Sequence, residues 1–198
     1  MSPLPSSSAG VLADRIVRTR AQEAALVLGA ALFTALLAQV AISVPASPVP
    51  ITGQTLAVVL TAAALGAGRG LTAQATYLLL GAVGLPFFAK GASGWVALTG
   101  PTGGFLVGFL PAAVLVGLAA RHGYDRRWWT AVPLFLAGQL LVLLIGVCWL
   151  QMKAGLDFAT AFQKGFAPFI PGGLLKAVIA GMLMPLLWRR GLGLTSRA

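Results

Sequence analysis

Residues 24–44 read AALVLGAALFTALLAQVAISV, about 20 predominantly apolar residues with no charge among them. Such a segment is too long for the core of a signal peptide and has the length of a helix crossing a bilayer. Further apolar runs follow at 53–67, 71–83, 105–120, 131–150 and 172–188. Across the chain 58% of residues are hydrophobic and only 9% are charged, where a soluble domain carries about 25% charged residues. The runs are continuous rather than alternating, which argues against a transmembrane β-barrel and for helices. The expected architecture is an all-α integral membrane protein with six transmembrane helices, in a domain over 24–190.

Between the runs the punctuation is clear. Three prolines in VPASPVP (44–50) end the first helix and force an extended turn. Arg69 between Gly68 and Gly70 predicts a tight turn. The second and third runs are short against the ~20 residues a crossing needs. Residues 84–104 hold too much Gly and Pro for a helix, yet Phe87, Phe88, Trp95 and Leu98 are too apolar for a free loop. A structured loop folded over the bundle fits that composition. Residues 151–167 leave room for a short surface helix. Residues 1–23 are Ser/Pro-rich and then basic, which predicts a disordered cytoplasmic tail, and 191–198 a second, shorter one.

The formal net charge is +10. In a soluble protein that balance would raise the question of nucleic acid, but here the cations sit between apolar runs and encode topology. With six helices and a cytoplasmic N-terminus, all ten arginines (15, 18, 20, 69, 121, 126, 127, 189, 190, 197) fall inside, while Lys90, Lys153 and Lys164 fall outside. The positive-inside rule therefore places both termini in the cytoplasm.

One cation breaks the pattern. Lys176 is followed directly by the apolar run AVIAGMLMPLLW. An ammonium at a bilayer centre costs about 2.5–3.5 kcal/mol on insertion scales, less near a helix end. It needs a partner, a ligand or a path to water. Either its stem lies along the helix while the amine reaches the interface, or it holds an anionic or polar group of a substrate.

The predicted topology gathers Thr52, Gln54, Thr55, Phe87, Phe88, Trp95, Phe166, Phe169 and Lys176 at the outer face. Aromatic walls with a few orienting polar groups are the composition of a small-molecule pocket, although aromatics there also form interfacial belts. Gln54 offers both donor and acceptor to an amide-like or urea-like head. Lys176 suits a carboxylate as a point charge. The start of the last helix, opened by Pro171, Gly172 and Gly173, adds a positive dipole end.

Other chemistries lack their parts. His122 is the only histidine and lies in a loop; the acids are Asp14, Glu23, Asp125 and Asp157, none of them within an apolar run. No nucleophile–base pair or carboxylate pair can form inside the membrane, so an enzyme is not expected. Cys148 is the single cysteine, placed as a small core residue, so no disulfide forms within the chain and no Cys/His cluster can hold a metal. No cofactor is implied. The absence of GxxxxGK[ST] means the chain cannot use ATP itself. In the first apolar run, Ala31 and Ala35 form a small-residue stripe along which another helix can approach, within this protein or from another.

Four segments carry a resemblance: VPITGQT (49–55), YLLLGAVGLPFFAKG (77–91), LTGPTGGFLVGF (98–109) and PFIPGGLLK (168–176). In order and spacing they resemble the BioY family, the biotin-binding S components of energy-coupling factor (ECF) transporters, over roughly 29–188. The resemblance implies six transmembrane helices in the cell membrane. It implies a pocket open to the outside that binds biotin for uptake, in a substrate-binding subunit of an ATP-driven vitamin transporter. It implies a transmembrane coupling protein and two ATP-binding subunits as partners, with Ala31 and Ala35 against the coupling protein. Carried over residue by residue, the ligand site falls on Lys176, Gln54, Thr52, Phe88, Trp95, Phe169 and position 173. Family members usually carry an aspartate there; this chain has Gly173 and contains no asparagine. A structural subunit with a snorkelling lysine, or an S component for another small carboxylate, are the competing readings.

Overall fold

The computed structural model describes residues 10–45 and 47–193, with side chains to Arg189. Helix α1 (Arg20–Gln39) starts from a reciprocal cap: the Gln22 N–H donates to Thr19 Oγ1 and the Thr19 N–H to Gln22 Oε1, each at 3.2 Å. This T-x-x-Q box opens the helix one turn before the apolar run begins. After Gln39 the chain forms β1 (Ala41–Ile42), which pairs antiparallel with β2 (Ile51–Thr52) across the proline-rich segment.

Helices α2 (Gln54–Leu65) and α3 (Ala67–Ala82) follow. The turn between them is at Gly66, with φ of 83°, and not at Arg69, which lies in the first turn of α3. Gly66 takes the left-handed angle that a side chain resists, so the glycines around Arg69 are free to be helical. The loop over 84–104 contains α4 (Gly94–Thr99). Then come α5 (Gly103–Arg121), α6 (Trp128–Ala154), α7 (Phe158–Gly165) and α8 (Ile170–Gly193). α8 opens two residues earlier than expected because Pro171 fits a first helical turn, whose N–H groups need no partner within the helix. α7 is the short surface helix, capped by Asp157 accepting from the Thr160 N–H at 3.0 Å.

Among the described residues, four apolar stretches are long enough to cross a membrane: Arg20–Gln39, Gly103–Arg121, Trp128–Ala154 and Phe158–Arg189. α2, with 12 residues, and α3, with 16, fall short of the ~20 a full crossing takes. α5 packs against α2, α3 and α6; α8 lies on α6 and α2; α1 lies on α2 and α3. Cys148 points outward from α6 instead of into the core.

At the end where α3 begins and α8 finishes, the N-terminal segment is held against the bundle. Expected as part of a disordered tail over 1–23, residues 10–23 instead carry a 3-10 turn at Leu12–Arg15 and the start of α1. Val11 and Ala13 are buried in the core. Asp14 accepts from Arg69 Nη1 at 2.6 Å, and Arg69 Nε donates to Glu23 at 2.8 Å. Arg126 Nη2 donates to the Gly10 carbonyl at 3.1 Å. The guanidinium groups of Arg15 and Arg126 lie 4.8 and 4.4 Å from the centre of the Trp188 indole, whose Nε1–H donates to Asp125 Oδ2 at 2.7 Å.

Asp125 is fully buried, and burial pushes its carboxyl above the usual range, against the pull of the Trp188 hydrogen bond and Arg126. A carboxyl raised in the folded state contributes stability below its unfolded pKa of about 3.9 and loses that contribution as pH rises through the folded value. Asp125→Asn keeps an acceptor for Trp188 without the charge. Its melting temperature is expected to equal or exceed that of the parent at pH 7, with the parent gaining relative to the variant as pH falls toward 4. Thermal unfolding in detergent at pH 7 and pH 4.5 measures this; a variant less stable at pH 7 contradicts it.

Candidate binding site

The helical bundle leaves a cavity of about 280 Å³ at the end opposite Trp188, close to the lower end of the ~300–1,000 Å³ of small-molecule sites. Its walls come from the segment entering α2, the turn after α3, the start of α5, the middle of α6 and the first turns of α8. Phe88, Phe105, Leu106, Phe109 and Phe169 make the apolar part; Thr52, Gln54, Thr55, Gln139, Lys90 and Lys176 make the polar part.

Lys176 turns inward. Its ammonium donates to the Thr52 carbonyl at 3.0 Å and to Thr55 Oγ1 at 2.6 Å. Both acceptors are neutral, and no carboxylate pairs with it among the described residues. An ammonium has three N–H donors, so one remains for the cavity. Two polar chains extend from this point. Thr55 donates onward to Gln139 Oε1 at 3.2 Å, and Gln139 Nε2 donates to the Gly173 carbonyl at 3.0 Å. The Thr52 hydroxyl donates to Gln54 Oε1 at 2.7 Å, Gln54 Nε2 to the Tyr77 hydroxyl at 2.5 Å, and Tyr77 to the Phe87 carbonyl at 3.3 Å. The order of donors fixes which face each amide presents. Tyr77 is itself locked in an aromatic nest, edge-on to Phe88 at 5.7 Å and tilted against Phe109 at 6.3 Å.

Of the residues expected to hold ligand, Lys176, Gln54, Thr52, Phe88, Phe169 and Gly173 all line this cavity. Trp95 does not: it stands on α4, 66% exposed and away from the lining. At Gly173 there is room, since a Cβ built there meets only Gln139 Oε1, at 3.8 Å. Ala31 and Ala35 are 0% and 7% exposed, packed in the cluster that holds Tyr77 and Phe88. In this conformation they offer no surface to a second protein; the outward face of α1 carries Leu28, Leu32 and Leu36.

Sequence reasoning passed over Gln139, Tyr77, Phe105 and Phe109, and treated Lys90 only as an outside charge. Lys90 lies at the rim, exposed, with φ of 59° and its amine donating to Ser43 Oγ at 2.7 Å. Two cations and no acid thus face one cavity. A lone glutamine inside the apolar run at 131–150 was the available signal for Gln139.

The model of the BioY family matches residues 9–192. A protein named biotin transporter BioY from Thermotoga maritima is 41% identical over 155 residues, covering 78% of this chain and 90% of its own length. A protein of the same name from Rhizobium etli is 39% identical over 165 residues, covering 77% and 87%. The crystal structure of the S-component for biotin from an ECF-type ABC transporter superposes with a TM-score of 0.79 at 23% identity, over 87% of this chain and 95% of that one. At that identity the superposition speaks for the fold.

Proposed function

This chain belongs to the BioY family, and from that premise we propose that it binds biotin in the cavity beside Lys176 and mediates its uptake as the substrate-binding subunit of an ECF transporter. The inward-facing, acid-free ammonium carries the reading. Biotin has a neutral ureido head, a fused sulfur ring and an aliphatic chain ending in a carboxylate. A neutral urea tolerates burial among amides better than a carboxylate does. The ureido head therefore belongs beside Lys176, Gln54 and Thr52, where the remaining Lys176 N–H reaches its carbonyl oxygen. Phe88 and Phe169 cover the ring and chain. The carboxylate stays at the rim near Lys90, where water still solvates it.

The membrane arrangement follows the charge pattern. α1, α5, α6 and α8 are the full-length spans and the shorter α2 and α3, packed against α1 and α5, complete the six, with both termini cytoplasmic and the cavity open to the outside of the cell membrane. A transmembrane coupling protein and two ATP-binding subunits supply the energy this chain has no motif to use. ATP turnover there tilts the bundle and turns the site inward.

Equilibrium binding of labelled biotin to the purified full chain tests the reading. Saturable binding, competed by unlabelled biotin, is expected; its absence removes the proposal. The open space at position 173 adds a second expectation. Gly173→Asp places a carboxylate one turn before Lys176 as an acceptor for a ureido N–H, a charged hydrogen bond of about 1.5–3 kcal/mol. Biotin is expected to bind at least about tenfold tighter to this variant, read from the same titration.

A further inference from the structure

Gln39, the last residue of α1, does not line the cavity, yet its amide hydrogen-bonds three backbone groups of one loop. Its Nε2 faces the carbonyls of Pro86 and Phe88, each at 3.3 Å, and that of Ala35 in its own helix at 3.0 Å. Its Oε1 accepts from the Gly91 N–H at 2.9 Å. One side chain therefore grips the turn at 86–91 on both sides. The turn has its own backbone bonds, from the Gly91 N–H to the Phe88 carbonyl at 3.1 Å and from the Phe88 N–H to the Ala92 carbonyl at 3.0 Å, but they close over Lys90 at a left-handed φ of 59°, a conformation uncommon for a residue with a side chain. Yet this turn delivers Phe88 and Lys90 to the cavity.

We propose that Gln39 is a positioning residue for the ligand, a clamp that acts through Phe88 and Lys90 and sets how long biotin is retained. Its amide ties α1 to a turn whose own backbone bonds are local, so its loss frees the wall rather than the bundle. The role of Phe88 and Lys90 at the ligand rests on the function proposed above; the grip on the turn does not.

The test uses the purified full chain and Gln39→Ala, with Gln39→Glu as a second variant that keeps the acceptor for Gly91 and turns an oxygen toward the carbonyls in place of the donors. Biotin dissociation is expected to quicken about tenfold in Gln39→Ala, the size of one net hydrogen bond lost, and at least as much in Gln39→Glu, whose second carboxylate oxygen faces the turn carbonyls. Hydrogen exchange of the 86–92 amides is expected to rise in both without ligand, while the melting temperature stays within a few degrees of the parent. Dissociation unchanged within twofold, or exchange unchanged at 86–92, overturns the proposal. A drop in melting temperature with binding lost in proportion also overturns it, since that marks a merely structural residue. If the parent itself binds no biotin, the proposed function fails, and the exchange measurement still decides whether Gln39 holds the turn.

Discussion

Lys176→Met is expected to weaken biotin binding by about ten- to a hundredfold while leaving the protein folded and no less stable. The two halves of that result have one cause. The ammonium is partly buried with only neutral acceptors, the Thr52 carbonyl and Thr55 Oγ1, so folding gains no ion pair from it. Methionine has nearly the same length and no desolvation penalty, and the acceptors it abandons border the cavity. Stability therefore holds or rises. Binding has no such compensation. The charged donor to the ureido oxygen is lost, worth about 1.5–3 kcal/mol, and Thr55 loses the contact that orients it toward Gln139. Isothermal titration alongside thermal unfolding reads both. Biotinamide sharpens the assignment: Lys176→Met should weaken biotin and biotinamide alike, whereas Lys90→Ala should weaken biotin and spare the amide. A Lys176 variant that keeps binding within threefold would return this residue to a structural role.

The cation and the outer-face polar residues were legible because each breaks a local pattern. A lysine heading an apolar run, and ITGQT after three prolines, are costly in a membrane unless used. The resemblance added position 173. Trp95 was legible as an aromatic but not in its direction: in a six-residue helix such as α4 nothing in the sequence fixes which face meets the bundle. Gln139 and Tyr77 were hidden for the opposite reason. Gln139 is a single polar group within the apolar run at 131–150, Tyr77 reads as one more aromatic, and their partners, Gly173 and Gln54, lie far away in the chain. Ala31 and Ala35 show a further limit. A small-residue stripe announces close approach without saying to what, and here the neighbours are buried residues of the same chain. The N-terminal segment was misjudged because its Ser/Pro-rich start set the expectation for all of 1–23, whereas Val11, Ala13 and Asp14 have the apolar and acidic groups needed to dock on the core and on Arg69.

Gly117→Leu is expected to prevent folding, and Gly117→Ala to destabilise by about 1–3 kcal/mol, the usual range for an overpacked core. Gly117 lies in α5 where the α2–α3 turn crosses it. A Cβ built there overlaps the Ala67 backbone nitrogen and comes within 2.6 Å of both Ala67 Cα and the Gly66 carbonyl carbon. These are backbone atoms, so no rotamer change relieves them. The turn cannot retreat easily either, because Gly66 holds its left-handed φ against Val11 and Arg121. The control is Gly29→Ala in α1, where a Cβ meets nothing within 4 Å. There the substitution removes only the flexibility of glycine and should stabilise by about 0.5–1 kcal/mol. The same chemical change in two helices of one membrane protein thus has opposite expected signs, set by whether another backbone already occupies the space of the methyl group. Melting temperatures of the two alanine variants, measured side by side in one detergent, decide it; shifts of the same sign would mean that α5 does not pack against the α2–α3 turn as closely as this structure has it.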